Sequence, residues 1–192
     1  KTAKIIFGII IVVLAIRLWY SYYKKPASDN EPIKIGFIGA LSGIGTDVGE
    51  EELKGATLAV EQINKNGGVL GKPLELVTGD VSLDKLRIAV SAARKLIDID
   101  KVVAIVGPQW DEPALAILPI TEKEMIPIIS PDVTSDLESK QNFGYFFSAW
   151  YDNKVGVEEL VKFADKQNWR NIAIVRPIGG GFWQYTRNLF TE

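Results

Sequence analysis

The apolar run Val102-Val103-Ala104-Ile105-Val106 stops at Gly107-Pro108, and Gln109, Trp110 and Asp111 follow before a helical pattern starts at Pro113. A short run rich in Val and Ile, bounded by Gly and Pro, predicts a strand buried on both faces. The polar and aromatic residues after it stand where open α/β sheets place ligand crevices, outside the carboxyl ends of their strands. A second copy of the arrangement follows in Ile126-Pro127-Ile128-Ile129-Ser130-Pro131-Asp132-Val133-Thr134-Ser135. Two neighbouring strand ends with polar loops predict a binding site.

The rest of the chain repeats the alternation. Ile33–Gly39 reads as a strand, followed by the loop Ala40–Gly49 and a helix from about Glu50 to Asn66, which Gly67-Gly68 ends as a glycine cap would. Leu74–Val77 (strand), Asp84–Ile97 (helix), Val102–Val106 (strand), Pro113–Glu124 (helix) and Ile126–Ile129 (strand) come next. Tyr145–Phe147 (strand), Asn153–Gln167 (helix), Ile172–Val175 (strand) and a glycine-rich loop complete the pattern. Strict alternation implies parallel strands joined by right-handed crossovers, hence a doubly wound α/β sheet.

Ahead of this region, Ile5–Tyr23 is almost continuously apolar and aromatic, flanked by Lys1 and Lys4 on one side and Lys24-Lys25 on the other. Its length of about 19 residues reaches the range of a transmembrane helix. Trp19, Tyr20, Tyr22 and Tyr23 fit an interfacial aromatic belt, and Arg17 lies near enough to one end to snorkel. No small-x-small cleavage site follows. The expectation is an uncleaved signal anchor over residues 1–25, with a cleaved signal peptide or a buried soluble helix as alternatives. Residues 26–32 then form a short polar tether bounded by Pro26 and Pro32.

Composition narrows the chemistry. Neither cysteine nor histidine occurs among the 192 residues, which removes disulfides, thiolate nucleophiles, the usual zinc ligands and the commonest general base. A net charge of −2 creates no field that would draw nucleic acid. Gly36, Gly39, Gly43 and Gly45 lack the spacing of a dinucleotide fingerprint, no P-loop Lys-Ser/Thr is present, and Gly179–Gly181 matches neither pattern. No cofactor is expected. A flavodoxin-like or Rossmann-like enzyme would need a phosphate loop or a poised acid–base pair, and the sequence offers neither.

The segments IKIGFIGALSG and GEEELKGATLAVEQINKNGGVLGKPLEL, followed by VVAIVGP, ILPITEKEMIPIISPDVTS and NWRNIAIV, resemble the leucine/isoleucine/valine-binding protein family, the type I solute-binding proteins of ABC importers. The likeness covers nearly everything from Ile33 to about Phe190, and Asn64–Gly71 is its most specific part. It implies a type I periplasmic-binding-protein fold: a first lobe over 33–148, then the crossover and the incomplete start of a similar second lobe over 149–192. Such receptors lie on the extracytoplasmic side, close two lobes on an amino acid and present it to ABC permease subunits. A sensor domain of the same fold coupled to signalling partners is the alternative.

By that resemblance, the loop after Val102–Val106 offers a Ser hydroxyl to the ligand where this chain has Asp111. The loop after Ile126–Ile129 contributes a backbone carbonyl at Asp132 and the hydroxyl and amide of Thr134. Ser42 and Val48 border the ligand from the first loop. Trp150 and Tyr151 fall near the crossover, and Phe182 stands where an aromatic covers the ligand from the second lobe. Asp111 departs from the pattern, because an ionised carboxylate repels a ligand carboxylate at close range. With Asp132 and Trp110 it favours an ammonium or other cationic group, through charge pairing and cation–π contact. Each residue also has a plain structural role open to it. Asp111 is placed to N-cap a helix with Pro113 in its first turn, Trp110 to pack on the sheet edge, and Asp132 and Thr134 to shape a turn. Glu50-Glu51-Glu52 reads as the acidic first turn of a helix.

Overall fold

The fold was analysed in a computed structural model that describes residues 13, 17, 31–82, 86–132, 143–150 and 153–175. The chain divides into two units, Lys1–Glu31 and Pro32–Glu192. Apart from Val13 and Arg17, the expected anchor over residues 1–25 lies outside the described residues. Among the described residues no helix is long and apolar enough to cross a membrane.

Within the second unit, β1 (Ile33–Gly39), β2 (Leu74–Asp80), β3 (Ala104–Val106), β4 (Ile128–Ser130) and β5 (Phe146–Ser148) form one sheet in the order β2-β1-β3-β4-β5. Every pairing is parallel, as the alternation predicted. The connecting helices are α1 (Thr46–Lys65), α2 (Leu86–Arg94, continued by a wider π turn over Lys95–Ile99) and α3 (Asp111–Lys123). Helix α4 (Asn153–Lys166) follows β5. Ala89, Ala93 and Leu96 from α2 and Ile117 and Leu118 from α3 form one buried cluster with Ile38, Ile105, Ile128 and Phe146 from four strands. Each fully buried large aliphatic or aromatic side chain there is worth about 1.5–3 kcal/mol.

The chain runs outward from β1 to β2 and then returns across β1 to β3, so the order reverses between β1 and β3. At such a reversal the loops leaving the carboxyl ends diverge to opposite faces and open a crevice, the general ligand position of open α/β sheets. The loop after β1, Ala40–Gly45, and the loop after β3, Gly107–Trp110, flank that crevice.

The Asn64–Gly71 segment proves to be a helix stop and a splice. Gly68 N–H donates to Ile63 O at 3.0 Å and Gly67 N–H to Asn64 O at 3.0 Å, the paired bonds of a Schellman motif. Both glycines have positive φ, 96° and 74°. The Asn64 side chain then grips the start of β2 at both ends of a peptide-like pair. Its Nδ2 donates to Leu74 O at 2.8 Å and its Oδ1 accepts from Leu74 N–H at 2.6 Å.

Two expectations need correction. Ile172–Val175 is not a strand: it is irregular and exposed, Val175 to 96%, and it pairs with no strand among the described residues. A strand without a hydrogen-bonding neighbour has nothing to hold it extended. Helix α1 begins at Thr46 instead of Glu50, because Gly45 (φ 92°) turns the chain into it directly. Its first-turn acid is therefore Asp47, and Glu50–Glu52 fall beyond the first turn.

Gly68→Ala would place a Cβ 2.0 Å from Lys72 O at a positive φ, and Asn64→Ala would release both Leu74 backbone groups. Each substitution is expected to lower stability by about 1–3 kcal/mol, read as a drop in the midpoint of denaturant unfolding with an unchanged slope.

Candidate functional site

The crevice between β1 and β3 is built from three loop ends. In the first, Leu41 N–H donates to Asp80 Oδ1 at 2.8 Å and the Ser42 hydroxyl donates to Asp80 Oδ2. Asp80, the last residue of β2, thus fixes the loop after β1, and Ser42 reaches the site as part of that brace. Val48 lies in the first turn of α1, partly exposed.

The second end is the loop after β3. Gly107 N–H donates to Ile129 O at 2.8 Å, and the Ser130 hydroxyl donates to Pro108 O at 2.7 Å, across a cis Gly107-Pro108 bond. Trp110 follows with φ 68° and ψ 147°, a backbone region that is nearly closed to side chains with a Cβ and costs of order 1–3 kcal/mol. Two contacts hold it there. Its N–H donates to Asp132 Oδ1 at 2.9 Å. The Cη2 edge of its ring lies against the Cβ-less Gly45, where a methyl would sit 2.2 Å from Cη2. The ring also packs on the core cluster, so the expected structural role of Trp110 is present.

Asp111 is the first residue of α3 and not its N-cap: Trp110 holds the cap position and no side chain caps the helix. The strained Trp110 backbone turns the chain into the helix one residue earlier than a capping Asp111 would require. Asp111 is 7% exposed and engaged by other groups.

Asp132, on the third loop end after β4, is where the charges converge. Burial raises its carboxyl above the usual range, while the Trp110 N–H and the Gln109 side chain, both bonding to the charged form, pull it down. Glu52, from α1, is pushed up to about 7, first by burial and then by the negative charge of Asp132. Glu52 Oε2 and Gln109 Oε1 are buried without a hydrogen-bond partner. Trp150 stands at the crossover, its N–H donating to Ser148 Oγ at 3.1 Å and its indole N–H to Asn153 Oδ1 at 3.4 Å. Thr134, Tyr151 and Phe182 lie outside the described residues.

The structure thus brings Trp110, Asp111 and Asp132 together beside the Gly45 turn, with Ser42 on the neighbouring brace. Sequence reasoning missed Glu52, Gln109 and Asp80. A signal for Glu52 existed: it is one helical turn from Gly49 and from Ala56, on the stripe that faces the sheet. Among the described residues no cluster of acidic side chains has the arrangement of a metal site. Among the described residues, an open groove of about 430 Å³ is lined by Glu50, Leu53, Lys54, Thr57, Leu58 and Glu61 of α1, and none of the site residues named above lines it.

Residues 32–179 match the family described as Periplasmic binding protein. The Leu/Ile/Val-binding protein homolog 7 of Brucella abortus strain 2308 is 34% identical over 111 residues, 58% of this chain and 27% of that protein. Among solved structures, LivJ is the branched-chain amino acid transporter substrate binding protein of Streptococcus pneumoniae, determined in complex with isoleucine. It is 35% identical with a TM-score of 0.60, over 65% of this chain and 35% of that one. The leucine binding protein LivK of Thermotoga maritima superposes with a TM-score of 0.72 at 25% identity, over 83% of this chain and 44% of that one. The fold, the switch-point crevice and these matches define a type I periplasmic binding protein. The chain belongs to that family, is similar to its leucine/isoleucine/valine-binding members, and spans about a third of the length of the curated relatives it matches.

Two outcomes are expected of the site's internal contacts. Gly45→Ala forces the Trp110 ring off the β1 loop and should cost about 1–3 kcal/mol, with a shift in tryptophan emission. The raised Glu52 acid makes the folded state hold more protons than the unfolded chain between the ordinary value of 4.5 and about 7. Stability should therefore fall as pH rises through that window and level off above it. After allowance for the group's partial exposure the loss is about 1–2 kcal/mol. Glu52→Gln should flatten this slope in melting curves taken from pH 4.5 to 8.

Proposed function

We propose that this chain is the first-lobe part of an extracytoplasmic solute-binding receptor of an ABC import system. Its cargo is an amino acid or a related amine-bearing small molecule, held between two lobes and presented to permease subunits. The observation that carries this reading is the convergence of the loops after β1, β3 and β4 at the sheet's reversal point, around Trp110, in a chain of this family. Solved relatives hold isoleucine and carry the name leucine binding protein, which supports a branched-chain or similar amino acid as cargo.

The ligand-facing residues proposed are Ser42, Val48, Trp110, Asp111, Asp132 and Thr134 from the first lobe, Trp150 at the crossover, and Phe182 from the second. Asp132 and Asp111 place negative charge near the bound ammonium, and the Trp110 ring offers its face to the same group. Closure of the lobes would exclude water and strengthen these contacts. Binding in this manner needs no covalent chemistry, and the relatives are named as binding proteins. The apolar segment Ile5–Tyr23 is proposed to tether the receptor to the membrane surface.

Thermal-shift measurements on the full-length protein against amino acids, their amides and polyamines test this reading. A cognate solute at about 100 times its Kd should add about 2.7 kcal/mol of stability, and no response across the panel would refute it. Asp111→Ser should strengthen carboxylate-bearing amino acids by on the order of tenfold and weaken amines without a carboxylate. Unchanged affinities would make Asp111 a purely structural residue of α3.

A further inference from the structure

Beneath the Trp110 loop, three side chains from separate elements meet with more acceptors than donors. Asp132 Oδ1 accepts the Trp110 N–H at 2.9 Å, and the Gln109 side chain also hydrogen-bonds to Asp132. Gln109 Oε1 and Glu52 Oε2 are buried and take no hydrogen bond. Buried acceptors without donors cost about 1–3 kcal/mol each. One proton on Glu52 removes the charge from a buried oxygen that takes no hydrogen bond.

We propose that Glu52 is a protonation-dependent positioning residue for the Trp110 loop. As the neutral acid it adds no charge against Asp132, which holds the Trp110 N–H. As the carboxylate it sets a second negative charge against Asp132 and loosens that hold.

The surroundings favour this division of the proton. On α1 itself, Glu50 and Glu51 are exposed, and the Lys54 ammonium is engaged by Glu51 at 2.7 Å, so no neighbouring cation is turned towards Glu52 from its own helix. From the loop after β3 comes the uncharged Gln109, and from the start of α3 the buried Asp111. From the loop after β4 comes Asp132, the charged group that acts on Glu52 among the described residues. Two hydrogen bonds to Asp132 counter the upward push of burial on its carboxyl, whereas the buried Oε2 of Glu52 has none. Trp110 depends on the result more than an ordinary residue would, since its backbone is held in a nearly forbidden region.

The consequence for ligand affinity rests on the solute-binding reading; the titration of the loop does not. The test is a pH series from 5.5 to 8.5 of ¹H–¹⁵N spectra of the full-length protein labelled at tryptophan, with the Trp110 backbone amide assigned by its loss in Trp110→Phe. The Trp110 amide should shift with a midpoint near 7. Both Glu52→Gln and Asp132→Asn should abolish that titration, so a folding failure of one variant leaves the other decisive. An amide that does not move in the native protein, or that moves with the same midpoint in Glu52→Gln, overturns the proposal. Leucine added at pH 6 and pH 8 extends the test: its Kd should weaken several-fold at the higher pH in the native protein and stay within about twofold in Glu52→Gln. A normal Trp110 titration with no leucine binding at either pH would count against leucine as the cargo and leave the role of Glu52 standing.

Discussion

The bond from the Trp110 N–H to Asp132 is the contact on which the crevice depends. It joins the loop after β3 to the loop after β4 while Trp110 occupies a backbone region that side chains avoid. Strain of that kind persists only where several contacts over-determine it. Here the Trp110 ring on Gly45 supplies the second contact and ties the loop after β1 into the same unit. Three strand ends are therefore coupled through one residue. On the proposed reading, a ligand entering between β1 and β3 would meet a surface already assembled, which lowers the ordering cost of binding.

That coupling is possible only because of the strand order. In the sequence β2-β1-β3-β4-β5 the chain reverses direction between β1 and β3, and the loops leaving them part to opposite faces. A cleft at this point needs no gap in the core: Ile38, Ile105, Ile128 and Phe146 stay packed directly below it. The burial that stabilises the sheet and the opening that admits a ligand thus lie at different depths of the same strands.

Much of this was legible in the sequence. Period and punctuation located the elements of the sheet within a few residues, because apolar runs that must be buried on both faces admit few alternatives. The boundaries that moved did so for local reasons: Gly45 and Trp110, both at positive φ, start their helices earlier than Glu50 and a capping Asp111 suggested. Ile172–Val175 has a strand's composition, but composition does not supply the neighbouring strand that pairing requires. In the site, Trp110, Asp111 and Asp132 were legible because they follow strand ends. Glu52 was not, because a run of three glutamates on a helix reads as solvated surface. The packing of α1 on β1 and β2, with Asp132 close enough to act on Glu52, shows that the third of them is turned inwards.

The resemblance and the chemistry reside in different parts of the chain. The most family-specific stretch, Asn64–Gly71, closes α1 and splices it to β2 through Asn64 and the Gly67-Gly68 turn, at the end of β2 opposite the crevice. Its demands are geometric: a left-handed turn and a side chain that mimics a peptide, which few sequences satisfy. The loops at the crevice are constrained at Gly45, Gly107 and Trp110, all at positive φ, whereas no positive φ ties the residue at Asp111 or Asp132. A strong match in the first kind of segment therefore fixes the fold while leaving the ligand open. On the proposed solute-binding reading, the positions that would set specificity are those at the strand ends, Asp111 and Asp132, beside Trp110 and close to Glu52.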